Sequence, residues 1–168
     1  MISKIIAEEL VHKAKKAIDE ADKIAIVVHV GPDGDAMGAS LGMWHYLMTQ
    51  GKSPVVVVPT AFPDFYAWMP GASEVLVFED DIETATEQLQ EAELILALDF
   101  NVPKRMGGMS DVVLETSAKK IIIDHHLHPG RAYPGLELSP DGKAPLLPWS
   151  LPVMATIVCA VAGMVLYG

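Results

Sequence analysis

Residues 23–35 read KIAIVVHVGPDGD, a continuous apolar run that ends in a turn carrying acids and a histidine. Five apolar residues in a row, 24–28, are typical of a strand buried on both faces of a parallel sheet. The segment GPDG at 31–34 cannot continue such a strand. We therefore predict a buried strand over 23–29, with three potential ligands at its carboxyl end: His29, Asp33 and Asp35.

The same arrangement occurs twice more along the chain. The apolar run 94–98 ends at Asp99, and the run 119–123 ends at Asp124-His125-His126. Strands are also predicted at 55–58 and 75–78, and helical spacing is found at 3–21, 35–50 and 82–92. Together these patterns predict a three-layer α/β domain, with a mostly parallel sheet of about five strands and helices on both faces. In such sheets ligands bind beyond the carboxyl ends of the strands.

The composition limits the class of protein. The chain has 168 residues, of which 51% are hydrophobic, and a formal net charge of -10. So acidic a chain lacks the clustered cations that long duplex nucleic acid requires. The single cysteine, Cys159, excludes an internal disulfide framework and favours a reducing compartment, here the cytoplasm. The N-terminus lacks the uninterrupted apolar core of a signal peptide.

The three clusters offer carboxylate and imidazole groups, which suit hard divalent cations such as Mn²⁺ and Mg²⁺. One carboxylate can bridge two ions, and two ions about 3.5–4 Å apart can activate a water and neutralise a phosphoryl group. Like-charge repulsion would make four converging carboxylates costly without bound cations. The pattern therefore predicts a two-metal site built from all three strand ends.

Each cluster also has a simpler interpretation. Asp33 and Asp35 could simply cap the next helix, and Asp99 could be a helix cap or a turn former. His29 could be a strand-end histidine with a hydrogen-bond partner, and His125-His126 could be an ordinary loop pair. The convergence of all three clusters favours the metal site. The remaining histidines (His12, His45 and His128) are expected on the surface or within helices. Trp68 could shield a cleft, but packing within its loop is favoured.

The combined pattern resembles a known family. His29-x-x-x-Asp33-x-Asp35-x-x-Gly38, then Asp99, then Asp124-His125-His126 are similar to the first three motifs of the DHH phosphoesterase superfamily. The spacing is nearest to the oligoribonuclease and phosphoadenosine phosphate phosphatase subgroup. The resemblance implies a Mn²⁺-dependent hydrolase that acts on short oligonucleotides or on a nucleotide 3'-phosphate such as phosphoadenosine phosphate.

The resemblance also implies a role for each residue. One Mn²⁺ is held by His29, Asp33 and Asp99, and a second by Asp35, Asp99 and His125, with Asp99 bridging as a catalytic residue. His126 is implied as a catalytic residue that faces the substrate phosphate, and Asp124 as the group that orients a ligating imidazole. Substrate contacts are further expected from three residues: Gly38 and Ser40, near a helix start where backbone N–H groups favour an anion, and Asn101.

The character of the chain changes after residue 128. Residues 129–152 contain six prolines, and residues 151–168 form an uncharged run of 18 residues. We therefore assign 1–128 to a partial DHH domain and 129–168 to an atypical tail. The family's fourth-motif aspartate and second, substrate-binding domain are missing, which suggests a truncated or frame-shifted product. For 151–168 a nonnative extension is favoured over a core helix, and a membrane span is least favoured.

Three rival functions stay open. An inorganic pyrophosphatase shares the same motifs. A module that binds metal or nucleotide without turnover would follow from loss of the missing parts. A tail-anchored membrane protein would follow if the uncharged run spans a bilayer. The sequence leaves the oligomeric state open.

Overall fold

The computed structural model describes residues 8–124 and 147–148. Its helices are α1 (Glu8–Glu20), α2 (Gly34–Thr49), α3 (Ile82–Glu91) and α4 (Ser110–Glu115). Its strands are β1 (Lys23–Val27), β2 (Ser53–Val58), β3 (Leu76–Val77), β4 (Leu94–Leu98), β5 (Lys119–Asp124) and β6 (Leu147–Pro148). Short 3-10 helices lie at Asp64–Tyr66, Ala72–Glu74 and Pro103–Met109.

The strands form one sheet in the order β3-β2-β1-β4-β5-β6, and every neighbouring pair is parallel. This confirms the predicted α/β class with its parallel sheet, since five strands fall within residues 23–124 and β6 adds a two-residue edge. The order reverses direction between β1 and β4. In doubly wound sheets that reversal opens a crevice at the carboxyl ends of the two strands.

Apolar side chains of the central strands alternate between the two faces of the sheet. Ile26 and Leu96 pack on the side covered by α1 and α2. Val27 and Ile95 pack on the other side, which α3, α4 and the 3-10 helix at 103–109 cover. All four side chains are essentially inaccessible to solvent. The two cores hold β1 and β4 rigidly, so the loops that leave these strands start from fixed points.

Small residues bring α2 close to the sheet. Its first two turns carry the buried Met37 and four small buried residues: Ala36, Gly38, Ala39 and Ser40. Because these four have short side chains, the helix axis can approach the strands, and α2 contacts β1, β2 and β4. The N-terminal end of α2 therefore lies near the crevice between β1 and β4.

Several predicted element boundaries differ from the structure by one or two residues, and one of these differences bears on the site. β1 ends at Val27 and not at His29, because the chain turns away from the sheet at residues 28–33 before α2 begins. His29 is thus a loop residue, two positions beyond its strand. None of the described helices is long and apolar enough to cross a bilayer. The uncharged run 151–168 lies outside the described residues.

Candidate metal centre

The loop after β1 is fixed by two hydrogen bonds that its backbone N–H groups donate to other segments of the chain. The N–H of Val30 donates to the carbonyl of Arg105 at 2.7 Å, and the N–H of Gly31 donates to Oγ1 of Thr60 at 2.9 Å. Gly31 has a φ of +64°, a conformation that glycine adopts without a steric penalty. These contacts hold His29 at the rim of the sheet.

Asp33 has two separate tasks for its two carboxylate oxygens. Oδ1 accepts hydrogen bonds from the N–H groups of Asp35 and Ala36, so Asp33 is the N-cap of α2. Oδ2 faces the imidazole of His29, with 3.9 Å between Oδ2 and Nε2. The simpler interpretation, helix capping, is therefore correct for Oδ1. Oδ2 takes no part in the cap and faces His29.

Asp99 follows β4 directly and has an unusual backbone. Its φ is +63°, the only left-handed conformation at a non-glycine position within the described residues. Aspartate is among the few side chains enriched in this region, and such conformations concentrate at functional sites. The N–H of Asp99 donates to the carbonyl of Ile123 at 3.0 Å, which continues the ladder to β5. The turn conformation directs a buried carboxylate into the crevice, 3.7 Å from Nε2 of His29.

His29, Asp33 and Asp99 together form the geometry of a cation site. One ligand atom from each lies within 4.8 Å of the other two. His29 and Asp99 are buried, whereas the side chain of Asp33 is 62% exposed. The cluster is therefore buried at His29 and Asp99 and open to solvent at Asp33.

The imidazole of His29 is oriented as a metal ligand requires. Nδ1 lies 2.9 Å from the carbonyl of Val30, and a donor at Nδ1 leaves Nε2 with its lone pair. Nε2 is buried and has no hydrogen-bond partner within the described part of the chain. A buried polar atom without a partner is costly, and a cation between Nε2 and the two carboxylates would satisfy it. The residues present thus fit a divalent cation.

The electrostatics of the cluster follow from the two acids. The carboxylate of Asp99 raises the pKa of His29 above its usual 6.5, burial acts in the opposite direction, and the Val30 carbonyl raises the pKa further. Arg105 then lowers the pKa of His29 and Asp33 raises it. In the absence of a cation the proton is therefore the competitor for Nε2.

The other predicted site residues divide into two groups. Asp35 lies in the first turn of α2, Asp124 is buried at the end of β5, and Asn101 is buried two residues past Asp99. None of these three belongs to the described His29–Asp33–Asp99 group. His125 and His126 lie outside the described residues, so their roles stay predictions.

Gly38 and Ser40 lie in the second turn of α2, inside the helix and one turn away from its N-terminal end. The helical ladder already begins at Met37, whose N–H donates to the Asp33 carbonyl, and Ser40 Oγ donates to the Met37 carbonyl at 3.1 Å. The N-terminal turn that faces the crevice is formed by Gly34, Asp35 and Ala36. The contact of Gly38 and Ser40 with a substrate stays a prediction, without the support of open N–H groups at these two positions.

Two residues near the crevice have no counterpart among the sequence-based candidates. Tyr66 lies over the start of α2, since a Cβ placed on Gly34 would be 3.1 Å from its hydroxyl. Arg105 is partly buried on the 3-10 helix that contacts Val30. Neither Tyr66 nor Arg105 belongs to a recognisable sequence motif. The expectation that Trp68 packs within its loop is wrong, because Trp68 is 77% exposed.

Substitution of Asp33 should separate capping from metal binding. Asp33→Ala should lower the free energy of unfolding by about 0.5–2 kcal/mol through loss of the cap, whereas Asp33→Ser should keep most of the stability. Both variants should bind Mn²⁺ about 100-fold more weakly or worse, since even the loss of a ligand's hydrogen-bond partner costs 10–100-fold. Urea unfolding and calorimetric Mn²⁺ titration measure the two effects. Unchanged Mn²⁺ affinity in Asp33→Ser would exclude this carboxylate as a ligand.

The pKa of His29 gives a second prediction. In metal-free protein the imidazole should titrate above 6.5, because Asp99 stabilises its charged form. The stability gained from this charge is present below pH 6.5 and is lost as the pH rises through the raised pKa. Histidine signals followed by NMR, with His29→Gln for assignment, measure the titration. Asp99→Asn should lower the pKa of His29, and an unchanged value would refute the pairing.

Comparison with known proteins shows the family of this chain. The family model for the N-terminal domain of the DHH family matches residues 23–167. The bifunctional oligoribonuclease and PAP phosphatase NrnA of Thermus thermophilus is 32% identical over 117 residues, which cover 70% of this chain and 31% of that protein. The cyclic-di-AMP phosphodiesterase GdpP of Geobacillus thermodenitrificans is 26% identical over 131 residues, 74% of this chain and 19% of that protein. The chain thus spans a third or less of the length of these curated relatives.

A crystal structure is also similar to this chain. An exopolyphosphatase-related protein from Bacteroides fragilis has 48% sequence identity and a TM-score of 0.74, over 76% of this chain and 38% of that one. The family match continues through residues 129–167, and the domain boundary at residue 128 stays a prediction. Since the family model covers residues 23–167 of the 168, the chain belongs to the DHH family.

Proposed function

We propose that this site hydrolyses phosphate esters of nucleotides or short oligonucleotides, with phosphoadenosine phosphate as a representative substrate. The observation that carries the proposal is the convergence of His29, Asp33 and Asp99 at the crevice between β1 and β4. The relatives NrnA, an oligoribonuclease and PAP phosphatase, and GdpP, a cyclic-di-AMP phosphodiesterase, support the same class of substrate. A cytoplasmic location, favoured by the single cysteine, belongs to this proposal.

The proposed metals are two Mn²⁺ ions, with Mg²⁺ as an alternative. His29, Asp33 and Asp99 would hold the first ion. Asp35, Asp99 and His125 would hold the second. Bound divalent ions in such centres neutralise phosphoryl charge and lower the pKa of water. The mixed imidazole and carboxylate donors favour Mn²⁺ over Mg²⁺, which prefers oxygen ligands alone.

The chain's own residues would prepare the site before substrate arrives. The Val30 carbonyl fixes the His29 ring with its proton at Nδ1, so that Nε2 is available without a rotation. The cap of α2 fixes Asp33, and the turn at Asp99 fixes the buried carboxylate. Such preorganisation avoids rearrangement at the moment of reaction. His126 would contact the phosphate, Asp124 would orient a ligating imidazole, and Asn101, Gly38 and Ser40 would line the substrate side.

A second candidate is hydrolysis of a phosphoanhydride. The 48% identical structure is described as exopolyphosphatase-related, and the sequence motifs are shared with inorganic pyrophosphatases. Both substrate classes need a cation centre and differ in what lies beyond the reacting phosphate. A nucleoside would have to fit beside the centre in the first case and a further phosphate in the second.

Substitution of Asp99 tests the site. With Mn²⁺ and the dinucleotide pApA, Asp99→Ala and Asp99→Asn should each lose about 10³-fold or more in rate, because metal centres supply several kcal/mol of transition-state stabilisation. Asp99→Asn keeps the left-handed backbone and so separates charge from turn geometry. Asp80→Asn is the matched control, because Asp80 is an exposed acid that does not belong to the His29–Asp33–Asp99 group. Equal rates in wild type and both Asp99 variants would overturn the site, and Mn²⁺ binding without turnover in wild type would favour a module that only binds.

Substrate preference separates the two candidate reactions. We expect wild-type protein with Mn²⁺ to have a higher kcat/KM for pApA and phosphoadenosine phosphate than for pyrophosphate and tripolyphosphate. Release of AMP and of inorganic phosphate, followed in parallel, gives the ratio. A higher kcat/KM for the phosphoanhydrides would replace the proposed function with the second candidate.

A further inference from the structure

We infer that Arg105 is a phosphate-binding residue of this centre, whose guanidinium holds the phosphate of the nucleotide substrate beside the metal ligands. The inference rests on the proposed function and adds the group that would neutralise the substrate from the protein side. Sequence patterns gave no indication of it, because an isolated arginine in a turn has no motif.

The backbone places Arg105 at the rim of the centre. Its carbonyl accepts the hydrogen bond from the Val30 N–H at 2.7 Å, and Val30 is the neighbour of His29. Gly107 on the same segment approaches Val30 so closely that a Cβ at Gly107 would be 2.8 Å from Val30 Cγ2. Gly107 also has a φ of +56°. Contact through the backbone and through a residue without a side chain keeps the segment against the His29 loop.

The guanidinium of Arg105 has no role elsewhere in the described part of the chain. It forms no ion pair and no hydrogen bond with residues 8–124, although it is only partly exposed. The hydrogen bond between the Val30 N–H and the Arg105 carbonyl places the start of this long side chain beside the residue that follows His29. A partly buried cation near an acidic centre, with no partner of its own, is suited to an anionic ligand.

The chemistry of the ligand then follows from charge and shape. The chain has a net charge of -10, and the group of His29, Asp33 and Asp99 adds two carboxylates at the site. The protein as a whole therefore repels an anionic substrate. A planar guanidinium binds two phosphate oxygens at once, and it stays charged at any relevant pH. A lysine supplies charge but not the paired geometry. Arg105 therefore matches a phosphate group better than any other described residue near His29.

The anchoring contact makes Arg105 suitable for substitution. Because the carbonyl holds the segment to Val30, Arg105→Ala and Arg105→Lys remove or change the side chain and leave that contact in place. Lys104→Ala is the matched control, since it removes one positive charge from the adjacent, exposed position of the same 3-10 helix. Thermal unfolding of all four proteins should give the same midpoint, which verifies that the fold is intact.

Two measurements test the inference, each with Mn²⁺ present. For hydrolysis of pApA, Arg105→Ala should lower kcat/KM about 10- to 100-fold, mostly through a higher KM, because the contact to phosphate exists before reaction as well as during it. For calorimetric binding of AMP, which needs no turnover, Kd should rise by a similar factor. Arg105→Lys should fall between Arg105→Ala and wild type, and Lys104→Ala should stay within about twofold of wild type in both assays, as expected for an exposed charge.

Each outcome decides between the proposals. Wild-type values of KM and Kd in Arg105→Ala, or equal losses in Lys104→Ala, would overturn the role of Arg105 while leaving the proposed function intact. A wild type that fails to hydrolyse pApA but binds AMP through Arg105 would overturn the function and keep the phosphate site. A wild type that neither hydrolyses pApA nor binds AMP would overturn both.

Discussion

The parallel pairing of β1 with β4 is the constraint on which the site depends. Val27 pairs with Ala97, so both strands reach the edge of the sheet at the same level. His29 and Asp99 are each two residues beyond that pair, and they meet across the crevice where the strand order reverses. A shift of one residue in this register would move the two side chains out of step and would also exchange the faces of every core residue in the strand. The packing of the core therefore sets the geometry of the centre.

Helix α2 connects stability to chemistry. Its buried small residues bring it close to the sheet, and its N-cap is one of the proposed metal ligands. The carboxylate of Asp33 completes the backbone hydrogen bonding of the helix with one oxygen and faces His29 with the other. The helix start and the cation site are therefore positioned by the same side chain. This explains why an exposed acid can still be held in a defined orientation.

Much of this arrangement could be predicted from the sequence, because buried parallel strands are apolar throughout and end at glycine, proline or acids. The same logic brought His29, Asp33 and Asp99 to one edge, and the structure places these three together. The finer features depend on contacts that periodicity does not record. The two roles of Asp33 arise from the geometry of the helix cap, and the left-handed turn arises from the backbone of Asp99. Arg105 lies on the 3-10 helix at 103–109, which is 76 residues after His29 in the sequence. The exposure of Trp68 likewise depends on which surfaces its loop meets. The roles of Asp35 and His125 as ligands of a second ion, and of His126 as a contact of the phosphate, stay predictions.

The left-handed backbone at Asp99 restricts how this centre can change. Glutamate has the same charge and a longer reach, yet it lacks the tolerance for this conformation that aspartate and asparagine share. A lineage or a designer seeking a different ligand at this corner would need to rebuild the exit of β4 along with the side chain. Variation in the proposed metal site should therefore arise at the more permissive positions around the crevice, while position 99 changes last.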